Sequence, residues 1–143
     1  MKTINLKSVL LTGLLCGITI LISGLTMIPV VGNEMNEILA SRGAPPLSNW
    51  AIMMICIVSI SNGVFIVFLY SLLKPFWVSK IKTAIISSLI VFIFTYFFSN
   101  VSLVIYGFMP LKFTIMGTLW GLGELLLAGL VATKLYKEVK QDK

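Results

Sequence analysis

Glu124 is the only residue of the Asp, Glu, Lys and Arg types inside any of the long apolar segments of this chain. It stands in the otherwise uncharged run from Phe113 to Thr133. The costliest charged residues cost about 2.5–3.5 kcal/mol at the centre of a bilayer on insertion scales, so ionisable groups there usually face other helices or a polar cavity. The chemistry open to such a carboxyl is hydrogen bonding, pairing with a lipophilic cation, and gain or loss of a proton.

Small residues share one helical face with Glu124. Steps of four, three, four and four along the chain place Gly117, Gly121, Glu124, Ala128 and Ala132 on the same side of a helix. Small side chains let helices approach closely in lipid. We therefore expect Gly117, Gly121 and Ala128 to pack this helix against a neighbour, with the carboxyl directed at another helix or a small polar cavity.

Two further candidates are defined by their distance from Glu124. Asn62 and Glu124 each lie twelve residues from the outer end of their helix, or about 18 Å along the axis, so the two side chains can meet. Alternatively, Asn62 bonds a backbone carbonyl or a serine. Trp120 precedes Glu124 by one turn and offers an aromatic surface to a cationic ligand.

A ladder of mostly hydroxyl-bearing residues marks the third apolar segment. Its helical face is predicted to point into the bundle and consists of Ala84, Ser88, Val91, Thr95, Ser99, Ser102 and Tyr106. Asn100 stands beside this ladder. Ser99, Asn100 and Tyr106 are therefore further candidates for ligand or proton binding.

The residue census argues against most catalytic chemistry. The chain contains no histidine, which excludes histidine-based metal sites, triads and proton relays. Its two cysteines, Cys16 and Cys56, are expected near opposite ends of their helices, so a disulfide is not predicted. We predict no catalytic residues, no metal and no cofactor, and an enzyme is the least favoured interpretation.

The elements that carry these residues are predicted from length and hydropathy. The chain has 143 residues, of which 58% are hydrophobic and 11% charged, and its mean hydropathy is +1.03. About 20 apolar residues span a bilayer as a helix, and backbone groups in lipid must be paired internally. The sequence predicts an all-α, four-transmembrane-helix bundle forming one membrane domain, with helices at 8–31, 50–73, 83–108 and 112–134. A short amphipathic helix at 33–42 is predicted in the first external loop and is ended by Gly43, Ala44, Pro45 and Pro46.

The first apolar segment is too long for the core of a cleavable signal peptide, which usually has 7–15 residues. It contains the pair Gly13 and Gly17, separated by three residues, a spacing that allows close helix contact. We predict that these glycines pack within one chain. The alternative is a dimer face.

Basic residues predict the orientation. Nine lie on one side of the predicted membrane and two, Arg42 and Lys112, on the other, which places both termini in the cytoplasm. This asymmetry also explains the net charge of +6 without a nucleic-acid partner. The chain has only a general resemblance to small four-helix bacterial membrane proteins, so we expect a bacterial inner or plasma membrane.

Two functional hypotheses remain. In the first, the protein is a binding, structural or accessory component, alone, self-associated or with a membrane-protein partner, and a protonated Glu124 bonds Asn62 or hydroxyls of the third helix. In the second, it is a carrier in which Glu124 exchanges a proton or binds a lipophilic, cationic small molecule. In both cases the sequence predicts that the protein lies in a lipid bilayer.

Overall fold

The computed structural model describes residues 4–45, 48–77 and 79–138. Within these ranges the regular structure is helical, and four helices are long and apolar enough to cross a membrane. They are α1 (Leu6–Ser41), α2 (Asn49–Leu73), α3 (Lys80–Ile105) and α4 (Leu111–Leu135). The all-helical class and the four candidate spans are thus confirmed. Lys2, Lys140, Lys143 and Pro46, which entered the sequence predictions, lie outside the described residues.

Helix α1 corrects the prediction of a separate surface helix. It continues without a break for 36 residues, through Pro29 and through the segment predicted as a short amphipathic helix. A proline inside a helix removes one backbone hydrogen bond, but in membrane proteins neighbouring groups often compensate for that loss. At 1.5 Å per residue the helix is about 54 Å long, well beyond a hydrocarbon layer of about 30 Å. The last turns of α1, which carry Glu34 and Glu37, therefore continue the same helix and do not form a separate one.

The helix ends are set by local capping. Ser48 begins α2, and its side chain accepts a hydrogen bond from the backbone N–H of Ala51 at 3.2 Å. Gly43 comes after α1 with φ of +65°, and Gly107 comes after α3 with φ of +69°. Glycine tolerates this left-handed conformation, which redirects the chain after a helix. Gly107 thus ends α3 earlier than the predicted bound at 108, for which Pro110 was taken as the residue that stops the helix.

Helices α1 and α2 meet backbone to backbone. A Cβ atom added to Gly13 would lie 2.5 Å from the Cα of Val64, and one added to Gly17 would lie 2.5 Å from the Cα of Ile60. From the other side, a Cβ on Gly63 would collide with the backbone of Gly17. The glycine pair of α1 therefore packs within the chain, against α2.

Helix α4 is held by polar contacts from two sides. The Ser88 hydroxyl of α3 donates to the carbonyl of Leu125 at 2.9 Å. The Cys16 thiol of α1 donates to the carbonyl of Ala128 at 3.2 Å. Ala128 is fully buried, as its predicted packing role requires. Gly117 differs from the prediction, because a Cβ there would meet open space.

Both ends of the described chain meet at one end of the bundle. The Asn5 side chain donates to the carbonyl of Lys137 at 3.2 Å, and the backbone N–H of Lys137 donates to the Ser8 hydroxyl at 2.8 Å. Lys74, which comes directly after α2, forms an ion pair with Glu138 at 2.6 Å. At the opposite end, Arg42 donates to the carbonyl of Gly107 at 2.6 Å. Neighbouring helices therefore alternate in direction.

Candidate functional site

The carboxyl of Glu124 lies in the bundle and has a partner on α3. Glu124 is only 5% exposed to solvent. The hydroxyl of Tyr96 donates a hydrogen bond to Oε1 of Glu124. A buried polar group without a partner is costly, and this bond relieves part of that cost. The predicted orientation toward another helix agrees with this arrangement.

Gly121 makes room for the Tyr96 ring. It lies one turn before Glu124, and a Cβ atom there would collide with the ring of Tyr96. The ring also stacks against Phe92, with centroids 6.4 Å apart and planes inclined by 14°. Glycine on α4 and an aromatic ring on α3 thus fix the direction in which the Tyr96 hydroxyl points.

A π-turn in α3 brings Tyr96 to this position. Residues Ile93–Phe97 form one π-helical turn, closed by a hydrogen bond from the N–H of Phe98 to the carbonyl of Ile93. Such a turn inserts one extra residue and rotates the remainder of the helix by about 100° relative to a regular α-helix. The inward face therefore passes from Val91 to Tyr96 and Asn100.

This rotation corrects part of the predicted hydroxyl ladder. Ala84, Ser88 and Val91, before the π-turn, are buried as predicted. Beyond the turn, Ser99 is exposed on the outside of the bundle, and Tyr106 is 73% exposed. Neither residue joins Glu124, because the extra residue turns the predicted face away from the bundle.

Asn100 forms a separate polar contact between α3 and α4. Its Nδ2 donates to the hydroxyl of Thr118 at 2.8 Å, and that hydroxyl donates to the carbonyl of Thr114 at 2.6 Å. Thr118 precedes Glu124 by six residues, or about 9 Å along α4. Asn100 therefore links the two helices nearer to their connecting loop and belongs to a different position from the carboxyl.

Asn62 is buried in α2 with 7% exposure. Among the described residues, the hydrogen bond to Glu124 comes from Tyr96 and not from Asn62. Counting residues from the helix ends estimates depth but does not say which faces of two helices oppose each other. The sequence hypothesis that named a hydroxyl of the third helix agrees with the structure, although Tyr96 itself was outside the predicted ladder.

A groove of about 480 Å³ lies between α1 and α4, and Glu124 is part of its wall. Leu119 and Leu127 of that wall are 65% and 53% exposed, so the groove opens on the outer surface of the bundle. In a membrane this surface is the lipid-facing one. The lining residues are Ser23, Met27, Val30, Met116, Leu119, Trp120, Gly123, Glu124 and Leu127.

Trp120 lies in the same wall as Glu124. Its indole Nε1 donates to the carbonyl of Ser23 across the groove at 3.3 Å. The ring is thereby anchored to α1 and presents an aromatic surface beside the carboxyl. Trp120 and Glu124 were predicted as neighbours from their spacing, and the structure gives them this groove in common.

The carboxyl, phenol and indole of this site can form hydrogen bonds, pair with a cation and exchange a proton. In the part of the chain that the structure describes, no cluster of three or more histidine, cysteine or acidic residues could hold a metal ion. Cys16 and Cys56 are free thiols. Tyr96 and Phe92 are the site residues that sequence reasoning missed, and the only signal for them is that Tyr96 is the one tyrosine in an aromatic run of α3.

No protein-family model matches the chain, and neither a curated protein nor a solved structure is significantly similar to it.

Proposed function

We propose that this is a small membrane protein that binds a lipophilic ligand within the bilayer, and that Glu124 is its binding group. It would act as a binding or accessory component, not as an enzyme, in a bacterial inner or plasma membrane. The observation that carries the proposal is that Glu124 takes part in both the bundle interior and the outward-opening groove. The same side chain bonds Tyr96 inside the bundle and lines a groove that opens outward between α1 and α4.

The energetics favour a use for the carboxyl beyond packing. An acid in an apolar span weakens insertion, whereas an apolar residue would hold the helices together without that cost. The groove also has a suitable size, since pockets for small molecules usually measure about 300–1,000 Å³ and combine apolar walls with few polar groups. A ligand dissolved in the bilayer would reach it laterally.

Within the hypothesis of a binding or accessory component, the alternative is that the carboxyl of Glu124 has a purely structural role. The Tyr96 bond supports it, because that bond joins α3 to α4. The two interpretations differ in one respect, namely whether the groove takes up a ligand. A second copy of the chain or the helix of a membrane-protein partner would be a competing occupant.

A fluorescence titration tests ligand binding. In a variant with Trp50→Phe and Trp77→Phe, Trp120 is the sole tryptophan of the three in the chain. The protein is placed in lipid nanodiscs and titrated with a bromine-bearing alkylamine, which quenches indole fluorescence on contact. We expect saturable quenching that Glu124→Ala abolishes. Quenching no stronger than that by a neutral bromoalkane of equal length would contradict the proposal.

A proton-coupled carrier is the second candidate. It is supported by the outward opening of the groove beside a buried carboxyl, since a carrier needs an acid that both lipid-borne ligand and proton can reach. Glu124→Gln keeps the size and hydrogen-bonding capacity of the side chain but cannot titrate. If the protein is a carrier, the Glu124→Gln variant should fold but should not support proton-driven uptake of lipophilic cations into vesicles. Coupled uptake that survives this substitution would exclude the carrier mechanism.

A further inference from the structure

The hydrogen-bonding capacity of Glu124 is only partly used. Among the described residues, the Tyr96 hydroxyl supplies the hydrogen bond to Oε1, and none donates to Oε2. A carboxylate has two oxygens and about four acceptor positions. With 5% exposure, the residue is nearly enclosed yet still part of the groove wall. The site therefore has room for one more donor at this carboxyl.

The rest of the groove wall offers a cation little else. Ser23 and Trp120 are the other residues with polar side chains there, and the Trp120 N–H is already donated to the Ser23 carbonyl. The remaining lining residues are apolar or glycine. A ligand nitrogen would thus meet one carboxyl, one aromatic ring and the Ser23 hydroxyl, while its alkyl part would lie against methionine and leucine side chains.

We infer that the groove selects lipophilic amines whose nitrogen carries an N–H when charged, and that Tyr96 positions Glu124 for this selection. The inference rests on the binding function proposed above. It names the class of ligand for that site and distinguishes primary, secondary and tertiary amines from quaternary ammonium ions.

Proton transfer gives the first reason for the selection. A neutral amine dissolved in the bilayer takes the carboxyl proton of Glu124: the O–H bond breaks, an N–H bond forms, and the product is an ammonium carboxylate pair without net charge. A quaternary ammonium ion cannot accept that proton. It forms a neutral pair only if Glu124 first loses its proton to water; otherwise it enters the apolar groove as a net cation, which lipid strongly disfavours.

Hydrogen bonding gives the second reason. The new N–H donates directly to the carboxylate, and charge-assisted hydrogen bonds are about twice as strong as neutral ones. A quaternary nitrogen is surrounded by methyl or alkyl groups and donates none. The same carboxylate accepts the Tyr96 hydroxyl at Oε1, so Tyr96 stabilises the charge formed on binding and orients the group.

The test uses two probes of equal chain length, N,N-dimethyldodecylamine and dodecyltrimethylammonium. Each displaces the bromine-bearing amine from the single-tryptophan protein in nanodiscs, and partition into protein-free nanodiscs is subtracted. We expect the tertiary amine to bind at least about tenfold more tightly, since a hydrogen bond to a charged group corresponds to a factor of roughly ten to a hundred. This comparison needs no substitution at the site.

A pair of variants tests the role of Tyr96. Tyr96→Phe removes the hydroxyl and keeps the ring against Gly121 and Phe92, whereas Tyr136→Phe makes the same change at the far end of α4. We expect Tyr96→Phe to weaken binding of the tertiary amine roughly ten- to a hundredfold, and Tyr136→Phe to leave it unchanged.

The outcomes separate the two proposals. If no amine binds saturably, the binding function itself fails. If both probes bind equally after the partition correction, the function stands and the selection for N–H fails. If Tyr96→Phe binds the amine as the unsubstituted chain does, the positioning role of Tyr96 is overturned.

Discussion

The hydroxyl of Tyr96 on α3 donates a hydrogen bond to the carboxyl of Glu124 on α4, across 28 positions of sequence. The bond exists because Gly121 leaves a gap on α4 that the Tyr96 ring fills. The position of this carboxyl is therefore set jointly by two helices. A change in the spacing of α3 and α4 would move the carboxyl relative to the groove that it lines.

Gly121→Ala should destabilise the protein more than Gly123→Ala. A Cβ at position 121 collides with the Tyr96 ring, whereas a Cβ at position 123 meets nothing within 4 Å. Overpacking of this kind typically costs about 1–3 kcal/mol. Both changes replace glycine by alanine inside α4, so the gain in helix propensity is matched. Thermal unfolding in detergent measures the difference, and equal melting temperatures would show that the ring moves aside freely.

Gly63→Ala tests the contact between α1 and α2. The added methyl would lie 2.7 Å from the Cα of Gly17 and closer still to its backbone nitrogen, so two backbones must separate. Contacts between membrane helices depend on such close approach. We expect a clear loss of thermal stability. Gly24→Ala in α1 is the control, because a Cβ there has open space, and a control variant as damaged as Gly63→Ala would contradict the assigned interface.

The sequence predicted two helices closely and two less well, for identifiable reasons. Helices α2 and α4 begin and end within one residue of the predicted bounds, because a cap, a proline or a lysine stands near their ends. The end of α1 was placed too early because the chain becomes polar after Val31, at Gly32, Asn33 and Glu34, and the helix continues through that polar segment. The end of α3 was placed too late because Pro110 was preferred to Gly107, whose positive φ ends the helix.

Only part of the candidate site could be predicted from the sequence. Glu124 and Trp120 could be found because a charge and an indole four residues apart stand out in an apolar helix. Tyr96 could not, since a regular α-helical period assigns the inward face to Thr95 and Ser99. The π-turn at Ile93–Phe97 shifts that face by one residue, and nothing in the apolar and aromatic pattern of this segment encodes the shift.

The orientation in the membrane is tested with reporter fusions. The excess of lysine at the end where α1 begins and α4 finishes predicts that this end is cytoplasmic. Fusions after Trp77 and after Lys143 should report the cytoplasm, and a fusion after Gly43, where α1 has ended, should report the outside. A cytoplasmic signal after Gly43 would reverse the predicted topology.

Deleting Phe94 tests the π-turn as the device that aligns Tyr96 with Glu124. Phe94 is 67% exposed on the outside of the bundle, so its loss removes little packing. If the π-turn holds one inserted residue, the deletion lets α3 become a regular α-helix while Tyr96 and Asn100 keep facing inward. We expect the variant to melt within a few degrees of the unsubstituted chain and to retain amine binding.

The matched control is deletion of Leu127, which is also exposed but lies in regular α-helix. There the missing residue rotates the rest of α4 by about 100°. Ala128 and Gly129 would leave their contacts with α1 and α3, and Ala132 would leave its buried position. Thermal unfolding of the two deletion variants in the same detergent should therefore separate them widely. Similar losses of stability in the two variants would mean that α3 cannot become a regular α-helix when Phe94 is deleted. The π-turn would then be required by its own packing, and it would not contain a residue that the helix can lose.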